Sequence, residues 1–93
     1  MIRLRQSEND LLLDFDDYED YDSFDEIIEK LKKQFRIHIT EQIDGPESRV
    51  WRFRLEDREF SLHNNPYGNY LKASTESSKA KLKEILPIMD FLF

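Results

Sequence analysis

The sequence predicts an α+β fold: a two-layer sandwich with a largely antiparallel sheet of five to six strands, in the order ββαββββα, and two helices packed on one face. Three observations predict it. Several short stretches alternate apolar and polar residues with period two, the spacing of a half-buried strand. Two stretches place apolar residues at helical spacing instead. Short polar turns join most of the strand stretches, and such turns suit antiparallel neighbours because parallel strands need long crossovers.

The elements follow in chain order. Ile2 and Leu4 alternate with Arg3 and Arg5, and Leu11-Leu12-Leu13-Asp14-Phe15 pairs back on them as a hairpin. Residues 16–22 form an acidic loop that contains Tyr18 and Tyr21. Ser23 followed by Glu26 is a capping-box pattern that starts a helix. Phe24, Ile27, Ile28, Leu31 and Phe35 form its apolar face. Asp25, Glu26 and Glu29 come early in it and Lys30, Lys32 and Lys33 late, which complements the helix dipole.

Ile37, Ile39 and Ile43 then alternate with His38, Thr40 and Gln42, which predicts a third strand with the isoleucines inward. Asp44-Gly45-Pro46-Glu47 is a turn. Trp51, Phe53 and Leu55 point inward on the next strand, with Val50, Arg52, Arg54 and Glu56 outward. Asp57-Arg58 is expected to reverse the chain into Phe60 and Leu62. Asn65-Pro66-Tyr67-Gly68 turns it again into Tyr70–Ala73. Ser74 or Thr75 caps a second helix whose apolar face is Leu82, Ile85, Leu86 and Met89. Pro87 ends or kinks that helix. The apolar tail 88–93 is expected to close the core, with a dimer contact as the alternative.

A turn at Asp57-Arg58 would pair Leu55 with Phe60, Phe53 with Leu62, Arg54 with Ser61 and Arg52 with His63. The following turn would pair His63 with Tyr70, Leu62 with Leu71 and Ser61 with Lys72. The open sheet face would then carry Arg52, Arg54, His63, Tyr70 and Lys72, with His38 also outward.

The 93 residues suffice for one domain, 1–93, with a modest core. There is no Cys, so disulfides and thiolate chemistry are excluded. No signal peptide and no run of the ~20 apolar residues of a membrane span is evident, so the expected location is the cytoplasm, without membrane association. The net charge of −6 is unevenly spread. Residues 6–29 carry eleven acids and no Lys or Arg, whereas the rest carries nine acids against fourteen Lys or Arg. The acidic lobe repels phosphate and argues against direct nucleic-acid binding.

The acidic segment does not fit a calcium loop. An EF-hand needs Gly at its sixth position and Glu at its twelfth. Counted from Asp14 these positions hold Glu19 and Asp25, and counted from Asp16 the sixth is Tyr21. Two histidines without a third ligand make no zinc site, and Gly45 and Gly68 are the only glycines, so no phosphate-binding glycine loop exists. No metal, cofactor or catalytic constellation is expected. A lone His beside Arg has a depressed pKa, which argues against catalysis by His63.

Two noncatalytic functions remain. In the first, residues 14–26 dock a basic protein partner, with Asp14, Asp16, Asp17, Glu19, Asp20 and Asp22 as charges and Tyr18 and Tyr21 as anchors. In size, acidity and α+β character the chain resembles small bacterial inhibitor and immunity proteins, and that resemblance implies such a partner. In the second, Arg52, Arg54, His63, Tyr70 and Lys72 bind an anionic ligand on the open face, since Arg forks suit carboxylate and phosphate.

Overall fold

Leu11, Leu13 and Phe15 alternate with Leu12 and Asp14, and the odd-numbered three are buried in one hydrophobic core. The same period recurs along the strands Arg49–Leu55, Arg58–Asn65 and Gly68–Ala73 of the computed structural model, which describes all of residues 1–93. The elements are β1 (Ile2–Ser7), β2 (Asp10–Phe15), α1 (Ser23–Gln34), β3 (Ile37–Asp44), β4 (Arg49–Leu55), β5 (Arg58–Asn65), β6 (Gly68–Ala73) and α2 (Glu76–Leu92). The six strands form one antiparallel sheet in the order β1-β2-β6-β5-β4-β3. The fold is therefore the expected α+β class, with the expected element order.

The β2–β6 pair joins two hairpin systems that are distant in sequence. Leu11 faces Ala73 and Leu13 faces Leu71 across it. Apolar residues of β2, β4, β5 and β6 share the core with Phe24, Ile27, Ile28 and Leu31 of α1 and Leu82, Ile85 and Met89 of α2. Both helices therefore cover the same face. Each fully buried large side chain contributes about 1.5–3 kcal/mol, which makes this layer the main source of stability.

Four local expectations are corrected. The β4–β5 turn is Glu56-Asp57, with φ of 48° and 67° at the two residues. Two successive positive-φ residues match the twist of a hairpin, but neither is Gly or Asn, so the usual signal is missing. Arg54 Nη2 donates to the Asp57 carbonyl at 2.7 Å and Arg58 Nη1 to the Glu56 carbonyl at 3.0 Å, which holds the turn in place. Phe53 consequently faces Phe60, and Arg52 faces Ser61. The register differs from the expected one by two residues, so every side chain keeps its face.

The second correction is in β3, where the register shifts between Ile39 and Glu41. Such a bulge adds one residue and reverses the alternation beyond it. Glu41 therefore faces Arg52, and Ile43 faces Val50 on the open side. Ile43 is 53% exposed instead of buried.

Third, the Ser23–Glu26 capping box does not form. Asp22 is the N-cap and makes no side-chain cap bond. Asp20 supplies the carboxylate instead, accepting from Ser23 N at 2.8 Å and Ser23 Oγ at 2.5 Å. Fourth, of the two outcomes expected at Pro87, ending the helix is overturned, because α2 runs on to Leu92. An interior proline costs roughly 3 kcal/mol, and burial of Met89 beyond it, together with the packing of Phe93 on the core, offsets that cost. The N-terminus of α2 follows expectation: Thr75 Oγ1 accepts from Ser78 N, and Ser78 Oγ accepts from Thr75 N, each at 3.0 Å.

Candidate functional site

The register aligns the outward residues into rows across the sheet. One row runs Arg5, Leu12, Lys72, Ser61, Arg52 and Glu41. The next runs Arg3, Asp14, Tyr70, His63, Val50 and Ile43. Leu12 is buried although it points to this side, because the stems of its neighbours Arg5 and Lys72 can lie over it.

At the centre His63 and Tyr70 stack in parallel, with ring centroids 4.8 Å apart and planes 2° from parallel. His63 Nε2 lies 2.7 Å from Ser61 Oγ, a contact that the two-residue strand repeat makes natural. Burial, then the positive charges of Lys72 and Arg52, push the imidazole down to about 4. His63 is neutral at pH 7, and the local potential is positive.

A cleft of about 470 Å³ opens on this face, lined by Arg52, Arg54, Glu59, Ser61, His63 and Lys72 among others. Each cation there has one acidic neighbour. Arg52 lies 3.2 Å from Glu41, Arg54 3.7 Å from Glu59, and Lys72 3.5 Å from Asp10. Exposed pairs of this kind are worth about 0–1 kcal/mol, so an incoming anion can displace them cheaply.

Four of the five residues expected on an anion-binding face thus meet in one cleft. Tyr70 stands behind His63 and lines a neighbouring cleft of about 310 Å³ with Arg3, Arg5 and Asp14. His38 lies opposite Arg54 on the same face but outside both clefts. Sequence reasoning missed Arg3 and Arg5 as members of this face. Their alternation with Ile2 and Leu4 was a signal, but only the β2–β6 pairing brings them beside Tyr70.

The acidic segment is largely bonded to its own chain. Asp14, with its side chain 13% exposed, accepts from Arg5 Nε at 2.7 Å and Arg5 Nη2 at 3.1 Å. Asp16 accepts from Arg3 Nη2 at 3.1 Å, and Asp17 from the Met1 amine. Its two hydrogen bonds from Ser23 lower the pKa of Asp20. Tyr18 packs edge-on against Phe93 with centroids 5.4 Å apart, and Tyr21 donates to the Gly45 carbonyl at 3.1 Å. Buried Asn69 Nδ2 donates to the carbonyls of Tyr18 and Asp20 at 2.7 and 3.1 Å, which pins the loop to β6. Glu19, Asp22 and Glu26 keep carboxylates without an ion-pair partner.

Arg49 was assigned no role from sequence, yet it holds the densest polar cluster. It is 6% exposed and lies 4.3–5.2 Å from the rings of Tyr21, Phe24 and Trp51. It donates to both Asp25 oxygens at 2.8 and 3.0 Å and to Asp44 Oδ1 at 2.7 Å. These bonds, that to Asp25 first, raise the guanidinium pKa, and Arg49 followed by Trp51 lowers that of Asp44.

No three His, Cys, Asp or Glu side chains converge in a way that could hold a metal ion. No helix is long and apolar enough to cross a membrane. No curated protein and no solved structure matches the chain. The family model DUF3630, described as a protein of unknown function, matches residues 1–91, and the chain belongs to that family.

Proposed function

We propose that this protein is a noncatalytic binding module that receives an anionic group, a phosphate or carboxylate, in the cleft on the open sheet face. The observation that carries this reading is the convergence of Arg52, Arg54 and Lys72 with neutral His63 in one 470 Å³ cleft. Ser61 and the two Arg forks supply donors of the right kind. The noncatalytic part is supported by the imidazole pKa of about 4, far from the neutral range in which a general base works best. Absence of Cys agrees with a cytoplasmic setting.

Titration with inorganic phosphate and with a dicarboxylate, followed by nuclear magnetic resonance, tests the reading. Shifts should concentrate on Ser61, His63 and Lys72, and Arg52→Ala with Arg54→Ala should abolish them. Unchanged spectra with every anion tried would sink it.

A second reading, docking of a basic protein partner in the manner of an inhibitor or immunity protein, draws support from Glu19, Asp22 and Glu26. These exposed acids have no ion-pair partner and lie in or beside the pinned loop, so their charge is free for a partner. Neutralising Glu19, Asp22 and Glu26 should weaken such a complex and flatten its salt dependence while leaving the cleft's anion titration unaltered. Binding that is insensitive to both salt and neutralisation would dismiss it.

A further inference from the structure

The two edges of the sheet are built differently. At one edge β3 carries the bulge at Ile39/Glu41, a feature that blocks edge-to-edge pairing. At the other, β1 pairs with β2 in unbroken register from Ile2 to Ser7, so its outer row of backbone donors and acceptors is regular. Its Arg3 and Arg5 are already neutralised by Asp14 and Asp16, which removes the usual charge barrier on an edge strand.

Beside this edge lies a groove of about 530 Å³ between β1 and α2. Ile2, Leu4, Leu86 and Pro87 line it, together with Lys83 and Asp90. Exposed Ile88 and Phe91, the latter 89% exposed, follow on the same helix segment. Lys79 and Lys81 pair with Glu76 and Glu84, but Lys83 and Asp90 have no ion-pair partner in the chain. Seven residues separate those two, about two helical turns or ~10 Å, so they share one side of α2. Their midpoint falls between Leu86 and Pro87.

We propose that this groove is a dimer interface and that its occupant is a second copy of this chain. A two-fold interface brings one patch against itself, so the patch must be self-complementary. This one is. With the two α2 helices antiparallel, Lys83 meets the partner's Asp90, and Asp90 meets the partner's Lys83. Leu86 and Pro87 then lie at the axis. The regular β1 edges can pair across the same boundary, which covers Leu4. The inference is independent of the open-face cleft.

Sedimentation equilibrium of the full chain tests it, at concentrations up to roughly 1 mM, where even a weak millimolar dimer is visible. Wild type should dimerise. Leu4→Lys should shift the chain towards monomer. Lys83→Glu and Asp90→Lys change only surface charge, and circular dichroism should show both folded. Each single change should weaken the dimer roughly tenfold by setting like charges together. The combined swap, K83E with D90K, should return it to within about threefold of wild type. A wild-type monomer throughout the range, or a dimer indifferent to both single changes, overturns the proposal. The first result would leave the groove to a different protein and the second would locate the dimer contact elsewhere.

Discussion

Arg49 and Asp25 form a two-bond pair, at 2.8 and 3.0 Å, that ties β4 to the first turn of α1. The guanidinium sits among three aromatic rings, while Asp25 remains partly open to water. The same side chain reaches Asp44 and the Tyr21 carbonyl. One arginine therefore fixes the start of α1, the end of β3 and the acidic loop relative to one another.

Arg49→Ala should destabilise the protein by about 2–4 kcal/mol, because it removes the packing of the guanidinium and leaves Trp51 and Phe24 around a void. Arg49→Lys should recover less than half of that, since an ammonium cannot serve Asp25 bidentately and Asp44 at once. Urea unfolding measures both. Full rescue by lysine would mean that charge alone matters here.

The folded-state pKa of His63, about 4, lies below its ordinary 6.5. Between those values the unfolded chain binds more protons than the folded one, so stability falls as pH drops from about 6.5 to 4 and this contribution levels off below. After allowance for solvent screening at this half-buried site, the loss is about 1–2 kcal/mol. The difference in stability between wild type and His63→Gln, followed across that window, isolates the effect. A bound anion should raise the His63 pKa, because it stabilises the imidazolium. A pH-independent difference would refute the burial argument.

Asp57 occupies φ 67°, a conformation that costs an L-residue about 1 kcal/mol. Its only ion pair, to Arg36 at 3.1 Å, is exposed and worth little. Asp57→Gly should therefore stabilise the protein by about 0.5–1 kcal/mol, a rise readable in the thermal midpoint. The same change to Pro should unfold the hairpin, since proline cannot take positive φ.

Asn69 holds the acidic loop through two carbonyls and also accepts from Asn64 Nδ2 at 2.9 Å. Asn69→Ala removes the partner of buried Asn64 and two part-buried carbonyl contacts, and should cost about 1–3 kcal/mol. Amide hydrogen exchange in residues 16–22 should accelerate more than exchange in β5. Uniform acceleration would show that Asn69 supports the sheet and not the loop.

The alternation of Arg52, Arg54, His63, Tyr70 and Lys72 with apolar neighbours was enough to place all five on one face. Period two explains why: the β4–β5 turn lies one residue earlier than expected and the register moves by two, yet no side chain changes sides. The spacing of Phe24, Ile27, Ile28 and Leu31 likewise determined the buried side of α1. These properties are local, because each follows from the geometry of a single element.

The strand order, the fate of the acidic segment and the role of Arg49 were decided only in three dimensions. The β2–β6 pairing joins residues more than fifty positions apart, and it sets Tyr70 beside Asp14 and Arg5. A run of acids reads as a free charged surface until the cations that neutralise it arrive from β1 and β4. Ile43 shows the same limit on a smaller scale, since one bulge reversed its face. Sequence periodicity determines which way a side chain points within its element, but its partners depend on which elements become neighbours, and that is decided by packing of the whole core.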